Sequence, residues 1–202
     1  MEKNIWKKSA KKNIIFIEQK IEQNIKEIIK YIGADSTSEH LKDTPRRVRE
    51  MYSEIFKGYD KSKEPPITTF KNDISKQQII IDTGTFRSFC AHHMLPFSGN
   101  YYVGYIPINK IIGLSKFARI IDYLGSKLQS QELLTKEIAD FIIEKVSPKG
   151  VAVVLKSNHT CKSLRGIKTS GQMITSEMRG VFLKAKKNYN PKLEFLELIR
   201  NG

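Results

Sequence analysis

Five of the six cysteine and histidine residues in this chain fall in two short stretches, Cys90-Ala91-His92-His93 and His159-Thr160-Cys161, and only His40 lies elsewhere. Thiolate and neutral imidazole are the ligands that zinc prefers. Three protein ligands with the fourth position left to water is the pattern of a catalytic zinc rather than a structural one. Each cluster has a plainer reading. A single cysteine is commonly a small buried apolar residue, and Cys-x-x-His alone is a weak signal. A disulfide between Cys90 and Cys161 also stays open at this point, although no secretory segment accompanies the pair. The grouping of both cysteines with histidines favours a metal site.

Length and composition bound what can surround those residues. With 202 residues, 40% of them hydrophobic, the chain can bury one good core and carry an appended helical segment. Apolar runs such as Ile14 to Ile17 and Ile79 to Ile81 are far too short to cross a membrane, and Met1-Glu2-Lys3-Asn4 leads into no apolar signal core. The expected location is the cytoplasm, without a membrane partner. A formal net charge of +14 attracts polyanions, whether nucleic acid, a membrane surface or a phosphorylated small molecule, and charge alone does not choose among them.

The positioning elements are read from periodicity. Residues 1–12 are polar and basic without a sustained period and are expected to form a mobile arm. Ile17, Ile21, Ile25, Ile28 and Ile32 recur at three and four, predicting an amphipathic helix from Asn13 to about Gly33 that needs a partner surface. Asp43-Thr44-Pro45 places a capping residue before proline and opens a second helix over Arg46 to Phe56. Lys61 to Lys71, with Pro65-Pro66, reads as an irregular connection, so residues 1–60 form an N-terminal arm and helices and residues 61–202 the main domain. Gln78 to Asp82 and Ser98 to Ile106 read as strands joined by the Cys90 stretch. Helical spacing follows over Phe117, Ile120, Ile121, Leu124 and Leu128, and again from Glu132 through Leu134, Ile138, Phe141 and Ile142. Gly150 to Lys156 and Met173 to Phe182 read as a second strand pair, and Asn190-Pro191 starts a terminal helix through Leu198. The order strand pair, helix pair, strand pair predicts an α+β fold, an antiparallel sheet with helices on one face.

Several strings now carry a resemblance. Cys90-Ala91-His92-His93, Tyr105-Ile106-Pro107, Ile112-Gly113-Leu114-Ser115-Lys116, Gln131-Glu132-Leu133-Leu134-Thr135, His159-Thr160-Cys161 and Arg165-Gly166 resemble GTP cyclohydrolase I. Thr44-Pro45-Arg46-Arg47-Val48 and Glu194-Phe195-Leu196 extend the match over about residues 44–200 in one order. The resemblance implies a tunnelling fold, in which antiparallel sheets of several subunits join into a barrel. It further implies a homo-oligomer, typically a decamer, with active sites between subunits.

It also implies zinc as cofactor, held by Cys90, His93 and Cys161, and GTP as substrate. A metal-activated water attacks C8 of the guanine, that carbon leaves as formate, and the ribose rearranges to give 7,8-dihydroneopterin triphosphate, at the head of folate, biopterin or deazaguanine synthesis. His92 and His159 would move protons, as groups titrating near neutrality can. Glu132, with Gln131 beside it, would accept hydrogen bonds from the guanine ring N–H and amino group. Ser115, Lys116, Arg119 and Arg165 would bind the triphosphate, Lys116 and Arg119 being three apart on one helix face near an N-terminus. Without the resemblance, Glu132 reads as a surface acid compensating a helix dipole, and the cations as a solvated face.

One position departs from the pattern: members usually carry an acidic residue where this chain has Ala91, which removes a carboxylate from beside the metal ligands. Two other readings compete. A metal-free nitrile reductase of queuosine synthesis shares the tunnelling fold, but the histidine pair and the His159/Cys161 cluster argue against it. A non-catalytic basic protein with a structural zinc would bind nucleic acid, yet the chain offers no further cysteine to close such a site. No nucleic-acid partner is therefore expected.

Overall fold

The computed structural model describes residues 2–73, 78–184 and 189–201, with side chains described from Ile14 onward. Two units divide the chain, Met1–Phe56 and Lys57–Gly202. The first unit contains α1 (Glu2–Tyr31) and α2 (Thr44–Ile55). The arm expected over residues 1–12 is helical from Glu2 onward, Met1 lying outside the described residues. Lys, Glu and Ala are good helix formers, so backbone propensity extends the helix beyond the isoleucine stripe. The buried face is also rotated from the expected one. Ile29 is buried at 7% exposure while Ile17, Ile28 and Ile32 face outward. The contact with α2 is fixed partly by charge, since Arg49 reaches Glu22 at 2.6 Å and Glu18 at 3.3 Å. Asp43 precedes α2 without capping it, its carboxylate lying 3.7 Å from Arg47 instead.

In the second unit the elements run β1 (Thr69–Lys71), β2 (Ile80–Cys90), β3 (Pro96–Ile106), β4 (Lys110–Ile112), α3 (Ser115–Gly125), β5 (Leu128–Gln129), α4 (Gln131–Val146), β6 (Gly150–His159), α5 (Thr160–Ser163), β7 (Gln172–Gly180) and α6 (Pro191–Asn201). The observed class is α+β. β1 and β4 form a small antiparallel pair, and the main sheet has the order β5-β2-β3-β6-β7. All its pairings are antiparallel except the short β2–β5 contact, where Phe89 lies beside Leu128 and Cys90 beside Gln129. Leu128, assigned by periodicity to a helix, is therefore a strand residue, because α3 ends at Gly125.

The sheet is covered on both faces, against the expectation of helices on one. Phe86, Phe97, Tyr101, Val103, Tyr105, Val151, Val153 and Leu155 pack with Phe117, Ile120, Leu134, Ile138 and Ile142 of α3 and α4. The opposite parity of the same strands, Ile106, Ala152 and Val154, packs with Met178 of β7, Phe182 just after it, and Phe195 of α6. This explains why Val151 to Leu155 is a continuous apolar run rather than an alternating one, as a strand buried on both faces must be. Gly104 is what lets α6 dock: a Cβ there would lie 2.6 Å from the Phe195 ring.

Candidate metal centre and its surroundings

The β2–β3 hairpin brings the first cluster to one end of the sheet. Cys90 is the last residue of β2 and is buried at 8% exposure. The tight turn that follows is closed by Met94 N–H donating to Cys90 O and Cys90 N–H donating to Leu95 O, both at 2.9 Å. Met94 adopts φ 56°, the left-handed region that turns the chain back into β3. The register then supplies the second cluster. Phe97 of β3 pairs with His159 of β6, so the strand that ends in His159 delivers Cys161, the second residue of α5, to the mouth of the hairpin. Thr160 Oγ1 donates to Pro96 O and ties that turn to β3.

The result is that ligand atoms of Cys90, His93 and Cys161 all lie within 4.8 Å of one another. A tetrahedral zinc with Zn–S about 2.3 Å and Zn–N about 2.0–2.1 Å separates its ligand atoms by about 3.5–3.8 Å. The donor set and its spacing both fit such an ion. Burial raises the Cys161 thiol pKa, and the hydrogen bond and charge of Cys90 raise it further, while Arg165 acts in the opposite sense. Both cysteines are free, so the disulfide left open by the sequence is not formed.

His92, on the exposed side of the turn, places Nδ1 3.7 Å from Cys90 Sγ. Ala91 is exposed beside it. Arg165 donates from Nη1 to His93 Nε2 at 2.5 Å, so the guanidinium and a metal would draw on the same imidazole. His159 is half-buried and stacked on Phe97, with ring centroids 4.5 Å apart and planes 4° from parallel. Burial lowers its pKa, the charge of Glu132 opposes that shift, and Lys162 reinforces it.

Glu132 lies in the first turn of α4, capped by Ser130, whose Oγ accepts from Leu133 N–H at 3.2 Å. Its exposed carboxylate makes no hydrogen bond or ion pair among the described residues. Gln131, next to it, is turned inward at 1% exposure. Ser115, Lys116 and Arg119 lie at the start of α3, where Lys116 N–H donates to Gly113 O at 2.8 Å and Phe117 N–H to Leu114 O at 3.4 Å. None of the three shares a hydrogen bond or ion pair with the Cys90–His93–Cys161 group among the described residues. Of the expected phosphate ligands, Arg165 is the one whose side chain reaches that group. A groove of about 600 Å³ over β2, β3 and α6, lined by residues such as Ile79, Ile81, Tyr102 and Leu198, holds no cysteine, histidine or carboxylate.

Sequence reasoning missed the buried polar residues behind His159. Ser157 is fully buried and donates to Gln131 Oε1 at 2.6 Å, and the Thr135 and Thr175 hydroxyls lie 2.6 Å apart. The available signal was a serine two residues before His159, at an inward-facing position of an otherwise apolar strand.

A sequence model of the GTP cyclohydrolase I family matches residues 21–200. GTP cyclohydrolase 1 of Caldanaerobacter subterraneus subsp. tengcongensis is 43% identical over 186 residues, covering 91% of this chain and 97% of that one. The protein of the same name from Thermoanaerobacter pseudethanolicus is 41% identical with the same coverage. That of Wolinella succinogenes is 37% identical over 90% of this chain and 96% of its own. Among solved structures, the archaeosine synthase QueF-Like in the apo form aligns with 52% of this chain and 96% of its own, at TM-score 0.41 and 16% identity, a likeness too slight to bear on fold or function. The family model spans residues 21–200, a range that contains Cys90, His93 and Cys161, and the chain belongs to the GTP cyclohydrolase I family.

Proposed function

We propose that this chain is a zinc-dependent hydrolase that converts GTP and water to 7,8-dihydroneopterin triphosphate and formate. The observation that carries the proposal is the convergence of Cys90, His93 and Cys161 within 4.8 Å in a chain of this family. A zinc ion held by those three residues supplies a Lewis acid that lowers the pKa of a coordinated water toward about 7.

The protein's own groups do the rest. Glu132, exposed at the start of α4 and without a hydrogen bond or ion pair among the described residues, accepts from the guanine ring N–H and amino group, a two-point contact suited to a carboxylate. His159, whose pKa is lowered by burial against the opposing charge of Glu132, takes and returns protons at the purine and the opening ribose. His92, beside Cys90 on the exposed turn, serves as a second proton carrier. Arg165, Lys116 and Arg119, with the Ser115 hydroxyl, hold the triphosphate. The chain's +14 charge steers that anion toward the protein. From the family we take an assembly in which neighbouring subunits complete each site. In the family's tunnelling fold that assembly is a barrel, typically in a decamer, and we extend this to the present chain. Ala91 leaves the site without a carboxylate beside the ligands, so the burden of proton transfer falls on the two histidines. Among the described residues no helix is long and apolar enough to cross a membrane.

The test uses GTP labelled with carbon-13 at C8. The label is expected in formate, in step with a pterin triphosphate identified by mass spectrometry. Recovery of the label in unopened purine, with zinc bound, would refute the proposal.

A further inference from the structure

Gln131 is the first residue of α4, yet its side chain runs into the protein and spends every polar atom there. Nε2 lies 3.1 Å from Leu155 O, 3.2 Å from Met173 O and 3.1 Å from Thr175 Oγ1. The two main-chain carbonyls can only accept, so the amide nitrogen must face them and the orientation of the amide is settled by chemistry. Oε1 therefore faces Ser157 Oγ at 2.6 Å and His159 Nε2 at 2.8 Å. An amide oxygen can only accept, so Nε2 of His159 carries a hydrogen. In the neutral ring the lone pair is then on Nδ1.

We infer that Gln131 is a positioning residue which fixes the neutral His159 ring as the Nε2–H tautomer and leaves Nδ1 as its lone-pair nitrogen. This rests on the reading that His159 moves a proton during GTP turnover. The bond to Oε1 holds Nε2 as a donor, so in the neutral ring Nδ1 alone keeps a free lone pair. Phe97 stacked on the imidazole holds its plane, and the Thr135 hydroxyl, bonded to Gln131 O at 2.6 Å and to Thr175, holds the start of α4. A guanine contact by the same amide would break at least one of these buried bonds, which leaves guanine recognition to Glu132. Metal sites use such supporting bonds to set the tautomer of a histidine ligand, and here the same device acts on a histidine beside the ligands.

The test is nitrogen-15 NMR of histidine-labelled, zinc-loaded wild-type protein, with His159 assigned by its disappearance in a His159→Asn variant. Two-bond proton–nitrogen correlations distinguish a protonated from a bare ring nitrogen. Protonated Nε2 with bare Nδ1 is expected, and the opposite pattern or an averaged mixture overturns the inference without any variant at position 131. Gln131→Leu removes the acceptor at similar size. It should give a tautomer mixture and lower kcat by about tenfold or more with KM for GTP within about twofold. A Gln131→Leu protein with raised KM, unchanged kcat and an unchanged tautomer would make Gln131 a substrate contact and sink the proposal. Formate release by the wild type reports separately on the proposed function. Turnover with an Nδ1–H tautomer refutes this inference alone, whereas Nε2–H without turnover supports the tautomer and refutes the activity.

Discussion

Replacing Glu132 by Gln separates recognition of guanine from the chemistry performed on it. The carboxylate is exposed, unpaired among the described residues and adjacent in sequence to the inward-turned Gln131. The substitution keeps the shape and disturbs no packing, and the Ser130 cap to Leu133 N–H remains. What the fold loses is one negative charge in the first turn of α4, about 0.3–1 kcal/mol of helix-dipole interaction. For a chain of this length that lowers Tm by only about 1–4 °C. What the complex loses is larger. A charge-assisted hydrogen bond contributes about 1.5–3 kcal/mol, and an amide that presents donors to guanine donors leaves at least one of them unpaired. At 1.36 kcal/mol per tenfold, kcat/KM for GTP should fall by about tenfold to a hundredfold. Zinc content should stay at the wild-type value, because Glu132 is not among the ligands. Steady-state formate release, calorimetric GTP binding and metal analysis on the same preparation read all three. A variant that binds and turns over GTP like the parent would reduce Glu132 to a surface acid compensating its helix and would remove the guanine pocket from this position.

His159→Ala should leave GTP affinity within about threefold while lowering the single-turnover rate by about a hundredfold to ten-thousandfold, since a proton carrier acts in the transition state; weakened binding with unchanged chemistry would contradict that role. Phe195→Ala empties the centre of the second apolar cluster, where Gly104 was kept small to receive the ring. It should cost about 3–5 kcal/mol in denaturant unfolding, and a loss below 1 kcal/mol would mean that α6 contributes little to the core. If sites are completed between subunits, Arg119→Ala and Cys161→Ala chains, each inactive alone, should regain part of the activity when unfolded and reassembled together. Mixtures that stay inactive in an assembly of wild-type size by light scattering would place each site within one chain.

The residues that could do chemistry were legible because cysteine and histidine are scarce and their clustering needs no fold to be noticed. What brings Cys90 to Cys161 was not legible, since the Phe97–His159 pairing is a register between strands far apart in sequence. β2 was read only as far as Asp82 because Thr83-Gly84-Thr85 interrupts its apolar pattern, although the backbone pairs with β3 through Phe89. The second covered face was missed for a related reason. An amphipathic terminal helix names no partner, and the apolar run Val151 to Leu155 shows that β6 is buried without saying by what. Gln131 was read as a polar residue at a helix start, where glutamine ordinarily faces water. Its inward turn depends on Ser157 and Thr175, 26 and 44 positions away, and no local pattern announces it. The rotated face of α1 has a simpler origin, since Ile28 and Ile29 are adjacent and Arg49, through Glu18 and Glu22, decides which of them turns inward.

The central claim is that Cys90, His93 and Cys161 hold the metal on which turnover depends, and a zinc titration tests it most directly. Protein stripped of metal by a chelator is reloaded in steps, and bound zinc and formate release from GTP are measured on the same samples. Activity should rise in proportion to occupancy and level off at about one zinc per chain, and Cys161→Ala should show neither the binding nor the activity. Full turnover by protein that carries no metal, or undiminished zinc binding by Cys161→Ala, would contradict the account.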